Sequence, residues 1–304
     1  MLVNLLSVAV AVIATCIPSV FAKESACKIK NLVVFGDSYA DIGNVYRLTK
    51  KTWPLSFYNN GRFTNGRVWI EHVAKAKKYK MHSYAFGGAT CDNNLVQGYS
   101  GPTSEVRVPG MIQQVEAYLS KSNRKDASKT LFVLNSLGND FVFDSSLEPA
   151  AVVARVHDSI LRLEKVGAKN ILVVENFDMG NIPYFRNNAT QAAYFTRISI
   201  DEQAVYKDFI TLLGPKYVRL GPHPFLNCKD DRVNVGFLNL WDLFKHLHQP
   251  GQLKRLGITD VIQGCVSSDY KTVCSDPDKH FYWDDFHLTG KIHKEISTAV
   301  LKLL

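Results

Sequence analysis

Hydrophobic positions along this chain alternate between two kinds of pattern. Short, uninterrupted apolar runs occur at Leu32–Phe35, Leu131–Leu134 and Ile171–Val174, each rich in β-branched or large residues. Runs of that length with no polar interruption fit strands buried on both faces. Ser83–Phe86 reads as a shorter strand of the same type, and Tyr217–Leu220 as a fifth. Between them lie stripes at helical spacing: Val68–Lys77; Ile112, Val115 and Leu119; Val152, Val156, Ile160 and Leu163; and Phe195, Ile198, Val205, Phe209 and Leu212. Gly167 and Gly214-Pro215 stop the last two stripes. A final amphipathic helix is expected over Ile292–Leu303, with Val235–Leu247 reading as helix and Gly251–Thr289 mostly as loop. Strands separated by long helices imply right-handed crossovers, so the expected fold is α/β: one three-layer α/β/α domain around a mostly parallel sheet.

The polar residues that interrupt this pattern sit at strand ends. Leu32–Phe35 stops at Gly36-Asp37-Ser38-Tyr39, Ser83–Phe86 at Gly87-Gly88-Ala89-Thr90, and Leu131–Leu134 is soon followed by Gly138-Asn139-Asp140. In a parallel sheet these ends share one edge, where open α/β folds place ligand chemistry. Far downstream, Trp283-Asp284-Asp285-Phe286-His287 precedes the last helix. A serine hydroxyl is a poor nucleophile until an imidazole takes its proton, and the imidazole needs a carboxylate to fix its tautomer. Ser38, His287 and Asp284 supply the three groups. Asp285 is the rival acid, but the three-residue spacing favours Asp284. The Ser38 and Gly88 N–H groups and the Asn139 amide suit an oxyanion hole, since glycine lets backbone approach a substrate closely.

Composition narrows the class. The chain has 304 residues, 46% of them hydrophobic and 21% charged, as expected for a globular protein with a sizeable core. Leu2–Ala22 carries no charge and ends in small residues, so residues 1–22 read as a secretory signal peptide and residues 23–304 as the mature domain. Secretion puts the protein outside the cell, where Cys27, Cys91, Cys228, Cys265 and Cys274 would mostly pair, Cys265 with Cys274 by preference. No CxxC or His-x-x-His spacing supports a metal site. Asn188-Ala189-Thr190 is a glycosylation sequon. The net charge of +8 comes from scattered residues, densest at Lys75, Lys77, Lys78 and Lys80. It speaks for a solvated basic face or peripheral contact with a lipid or cell-wall surface rather than for nucleic acid.

Gly36-Asp37-Ser38-Tyr39, Gly88, Gly138-Asn139-Asp140 and Asp284-x-x-His287 resemble, in order, the four sequence blocks of the GDSL, or SGNH, esterase/lipase family. Asn59–Trp69 and Tyr84–Thr90 look like its longer, secreted plant, fungal and bacterial lipase-like branch. The resemblance spans essentially the whole mature chain and departs from the signature only in Tyr39, where the family usually has Leu. It implies a cofactor-free serine ester hydrolase, expected to be monomeric, with Ser38 as nucleophile, Asp284 and His287 completing the triad, and Gly88 and Asn139 in the oxyanion hole. Carbohydrate acetylesterase and lipase or phospholipase activities are both compatible with it. A catalytically silent surface-binding protein is the alternative of a different class, although no triad or oxyanion residue is missing. Asp37 reads as a structural hydrogen-bonder, Asp41 and Asn44 as loop anchors, and His280 and His293 as surface residues. Tyr58, Phe63, Phe86 and Trp283 read as core or as acyl-pocket lining.

Overall fold

The computed structural model describes residues 29–121, 127–213, 217–219 and 232–304. The signal-peptide segment, Cys27, Cys228 and Gly214-Pro215 lie outside them.

The apolar runs form the middle of a six-stranded sheet. In chain order its members are β1 (Asn31–Gly36), β2 (Lys80–Ser83), β3 (Thr130–Asn135), β4 (Asn170–Glu175), β5 (Tyr217–Arg219) and β6 (Val233–Asn239). They lie side by side as β2-β1-β3-β4-β6-β5, and every neighbouring pair is parallel. The sheet is therefore wholly parallel across the described strands, slightly stricter than the mostly parallel expectation. Register runs from Asn31 opposite Thr130 to Gly36 opposite Asn135, so β1 and β3 end level with each other. Leu32, Val33, Val34 and Phe35 are all buried, which requires cover on both faces.

The helical stripes provide that cover as α1 (Trp69–Lys77), α2 (Met111–Leu119), α3 (Pro149–Glu164), α4 (Ala189–Leu212), α5 (Leu240–Leu247) and α6 (Gly290–Leu303). Helix α6 packs on α1, while α2 packs on α3 and α3 on α4. Helix α3 buries the residues that set its periodicity, Val152, Val156, Ile160 and Leu163.

Two expectations are corrected and a third is refined. The second strand is Lys80–Ser83 rather than Ser83–Phe86. It is an edge strand whose residues alternate in exposure, so it needs no continuous apolar run; Tyr84 and Phe86 still donate their N–H groups to Val34 and Gly36 of β1 as the chain leaves. The stretch Val235–Leu247 is a strand followed by a helix, divided at Asn239, whose side chain accepts the Asp242 N–H as an N-cap. Gly251–Thr289 is loop over most of its length, as expected, but it also holds a helix at Pro250–Leu256 and a parallel pair, Asp260–Gly264 with His280–Tyr282. Those two strands are short and only partly buried, so neither carries an apolar signature.

Candidate active site

The site grows from the end of β1. Gly36 adopts φ +146°, and a Cβ there would lie 2.0 Å from the Asn135 carbonyl oxygen, so only glycine lets β1 end this close to β3. Asp37 then turns inward. Its carboxylate accepts the Tyr39 N–H at 3.1 Å, the Leu137 N–H at 2.8 Å and the Asn135 side-chain amide at 2.8 Å. These bonds tie the two strand ends together and confirm the structural reading of Asp37. Burial pushes its carboxyl up to about 7, against the opposing pull of those donors and of His287. Ser38, next along, turns to the cavity.

Asp41 anchors the second strand end to the first. It accepts the N–H groups of Gly43, Asn44, Val45 and Gly87. Asn44 donates to the carbonyls of Ser83 and Ala85, so both residues are the loop anchors expected. Because Gly87 spends its N–H on Asp41, Gly88 is the glycine of the pair that faces the cavity. Gly88 has φ +81°, and a Cβ would meet the Tyr99 carbonyl oxygen at 1.8 Å. At the third strand end, Asn139 donates one amide hydrogen to the Ala89 carbonyl at 2.9 Å, which fixes the amide and leaves its second hydrogen.

Asp284 and His287 meet as their spacing suggests. The imidazole Nδ1 lies 2.8 and 2.7 Å from the two carboxylate oxygens of Asp284. The carboxylate also accepts the N–H groups of Phe286 at 2.8 Å and His287 at 2.7 Å, and the Tyr58 hydroxyl at 2.6 Å. Burial alone would raise the Asp284 carboxyl, but the charge and hydrogen bond of His287, with the other donors, hold it below the ordinary value. An ionised Asp284 places the ring proton on Nδ1 and leaves Nε2 basic. The imidazole packs against Phe63 and Tyr39, with centroids at 5.1 and 6.2 Å. Asp285 does not join this pair: its carbonyl accepts the Tyr184 N–H and its side chain bonds Ser268.

Ser38, Gly88, Asn139 and His287 line one cavity of about 430 Å³. A larger cavity of about 590 Å³ lies beside Arg186, Trp241 and Lys245, but no serine and no imidazole–carboxylate pair lines it. The first cavity therefore holds a hydroxyl, a paired imidazole and fixed donors, the groups required for acyl transfer. Among the described residues, no group of three or more His, Cys, Asp or Glu side chains gathers in a metal-binding arrangement.

Two residues escaped the sequence reading. Tyr58, taken as core or lining, is the fourth donor to Asp284; nothing in the sequence links it to a partner 226 positions away. His293, expected at the surface, is buried with its Nδ1 accepting the Trp69 N–H at 3.3 Å, because its place on α6 faces α1 and the ring of Tyr39. Burial, with the charges of His287 and His72, lowers its imidazole to about 3, so it stays neutral. Elsewhere, Cys265 and Cys274 form a disulfide, Cys91 is a buried free thiol, and Asn188 is an exposed N-cap of α4.

A parallel α/β domain that gathers a serine, a histidine–aspartate pair and strand-end donors around one cavity has the architecture of a serine hydrolase. The GDSL-like lipase/acylhydrolase family pattern matches residues 32–300, and the chain belongs to that family. It is 26% identical over 294 residues to the thermolabile hemolysin of Vibrio parahaemolyticus, covering 90% of this chain and 64% of that protein. It is 22% identical over 336 residues to the GDSL esterase/lipase At4g26790 of Arabidopsis thaliana, covering 92% of each. Among solved structures, the carbohydrate acetylesterase Est24 of Sinorhizobium meliloti superposes with a TM-score of 0.48 at 13% identity, over 89% of this chain and 96% of that one.

Proposed function

We propose that the protein is a secreted serine ester hydrolase in which Ser38, His287 and Asp284 act as the catalytic triad. The observation that carries this reading is the Asp284–His287 pair opening onto the same cavity as Ser38, Gly88 and Asn139. His287 Nε2 takes the Ser38 proton as the hydroxyl oxygen attacks the ester carbonyl. Asp284 holds the tautomer and stabilises the imidazolium that forms. The N–H groups of Ser38 and Gly88 and the second Asn139 amide hydrogen receive the oxyanion. As the tetrahedral intermediate collapses, His287 returns the proton to the leaving alcohol and an acyl-enzyme remains on Ser38. Water, deprotonated by the same imidazole, then releases the carboxylic acid and restores the serine. The reading requires neither metal nor cofactor.

The cavity walls bear on the substrate. Tyr99, Phe143, Phe177 and Phe185 line it, which favours an apolar acyl or aryl group over a polysaccharide-bound acetyl group. Residues 1–22 fit export of the mature chain, and the exposed Asn188 fits glycosylation. Ser38→Ala should abolish hydrolysis of a p-nitrophenyl ester while circular dichroism and thermal midpoint stay those of the parent; retained activity would refute the assignment. Rates on acetyl and longer acyl esters, compared in the parent protein, read out the acyl preference.

A further inference from the structure

The catalytic cavity has an unusual charge pattern for this chain. The protein carries 36 Lys and Arg against 28 Asp and Glu, a net charge of +8. Yet among the described residues that line the cavity there is no lysine and no arginine, while two acids line it: Asp37, whose carboxylate is taken up by the Tyr39 and Leu137 N–H groups and the Asn135 amide, and Asp285. Asp285 is half-buried, and among the described residues it makes no ion pair; the Ser268 side chain is its hydrogen-bond partner. A carboxylate in that position is incompletely compensated by the protein.

Its surroundings are aromatic. The Tyr184 N–H donates to the Asp285 carbonyl at 3.1 Å, and the Tyr184 ring lies 4.3 Å from the Phe286 ring. Tyr270, whose hydroxyl feels the Asp285 charge, meets the Trp53 ring edge-on at 5.4 Å. All four rings line the cavity with Asp285. Aromatic rings beside a carboxylate free of a lysine or arginine partner suit a quaternary ammonium group: rings attract it through their negative faces and the carboxylate supplies a counter-charge, without demanding hydrogen bonds that such a group cannot give.

We propose that Asp285, with the rings of Trp53, Tyr184, Tyr270 and Phe286, forms a cation subsite that selects esters bearing a quaternary ammonium group near the scissile bond. This rests on the ester-hydrolase reading above. The same pattern repels substrates with an anionic group at that position, since nothing in the described lining neutralises one.

The test uses an isosteric pair: butyrylcholine and 3,3-dimethylbutyl butyrate, which differ in the nitrogen charge and little in shape. The parent enzyme should show kcat/KM for the cationic ester about tenfold above the neutral one. Tetramethylammonium should inhibit hydrolysis of a neutral p-nitrophenyl ester competitively, which needs no variant. Asp285→Asn should bring the ratio of the two esters towards one and weaken tetramethylammonium inhibition. Equal rates on both esters, with no inhibition, would overturn the cation subsite and leave the hydrolase intact. A ratio unchanged in Asp285→Asn would overturn the role of this residue. Hydrolysis of neither ester nor any p-nitrophenyl ester would instead overturn the hydrolase reading, and this proposal with it.

Discussion

Tyr58 shows how one side chain outside the proposed triad can govern its chemistry. Its ring is buried, edge-on to Trp283 at 6.0 Å and Phe63 at 6.4 Å, and its hydroxyl ends on the Asp284 carboxylate. A hydrogen bond to a charged acceptor is worth roughly 1.5–3 kcal/mol, and this one both fixes the rotamer of Asp284 and favours its ionised form. Tyr58→Phe keeps the ring and removes the donor. The Asp284 carboxyl then rises, so the ionised form is lost at a higher pH on acidification. The expected result is a roughly tenfold lower kcat at neutral pH with KM unchanged, and an acid limb of the pH–rate profile displaced to higher pH. A lower thermal midpoint with an unmoved profile would show that Tyr58 only packs. At this scale the sequence was legible where spacing is short or a glycine is obligatory: Asp284 with His287, and Ser38 with Gly88. It was silent on Tyr58 and on His293, because burial against a distant element leaves no local pattern.

Elements show the same division for a different reason. Strands β1, β3 and β4 lie inside the sheet with both faces covered, so their positions had to be apolar throughout and could be read directly. The edge strand β2 and the pair Asp260–Gly264 with His280–Tyr282 face partial exposure, and their mixed residues look like loop. That overlooked pair matters to the site. A Cβ on Gly264 would lie 2.6 Å from the Asp284 carbonyl carbon, and the Cys265 and Val266 N–H groups bond the carbonyls of Tyr282 and Trp283. The Cys265–Cys274 bridge closes the loop that follows, and Val266 packs in one cluster with Tyr58 and Trp283. The loop therefore buttresses the segment that presents Asp284 and His287. Replacing both cysteines by serine should cost about 3 kcal/mol through loop entropy alone, read as a lower urea midpoint. Catalytic rate should fall with it, whereas an unchanged rate in the folded double variant would separate the bridge from the site.

For the molecule as a whole, the buried groups around the site oppose one another as pH changes. Asp37 ionises at about 7 in the fold against an ordinary 3.8, so between these values the folded state holds a proton that the unfolded chain has lost. Its stabilising share is full at low pH and declines as pH rises through that window. His293 behaves in reverse: at about 3 in the fold against 6.5 when unfolded, it charges only on unfolding, so stability is lost as pH falls below 6.5. Over roughly pH 4 to 6.5 the two slopes offset each other, at up to about 1.4 kcal/mol per pH unit each. His293→Gln removes one of them while leaving an amide oxygen that can accept the Trp69 N–H. The parent should then lose about 2 kcal/mol relative to this variant between pH 7 and pH 5, because only the parent's unfolded chain gains a proton at position 293. Urea unfolding of both proteins at the two pH values measures that difference directly. Parallel pH dependences would mean that His293 already exchanges its proton with solvent in the folded state, contrary to its enclosure between α1, α6 and Tyr39.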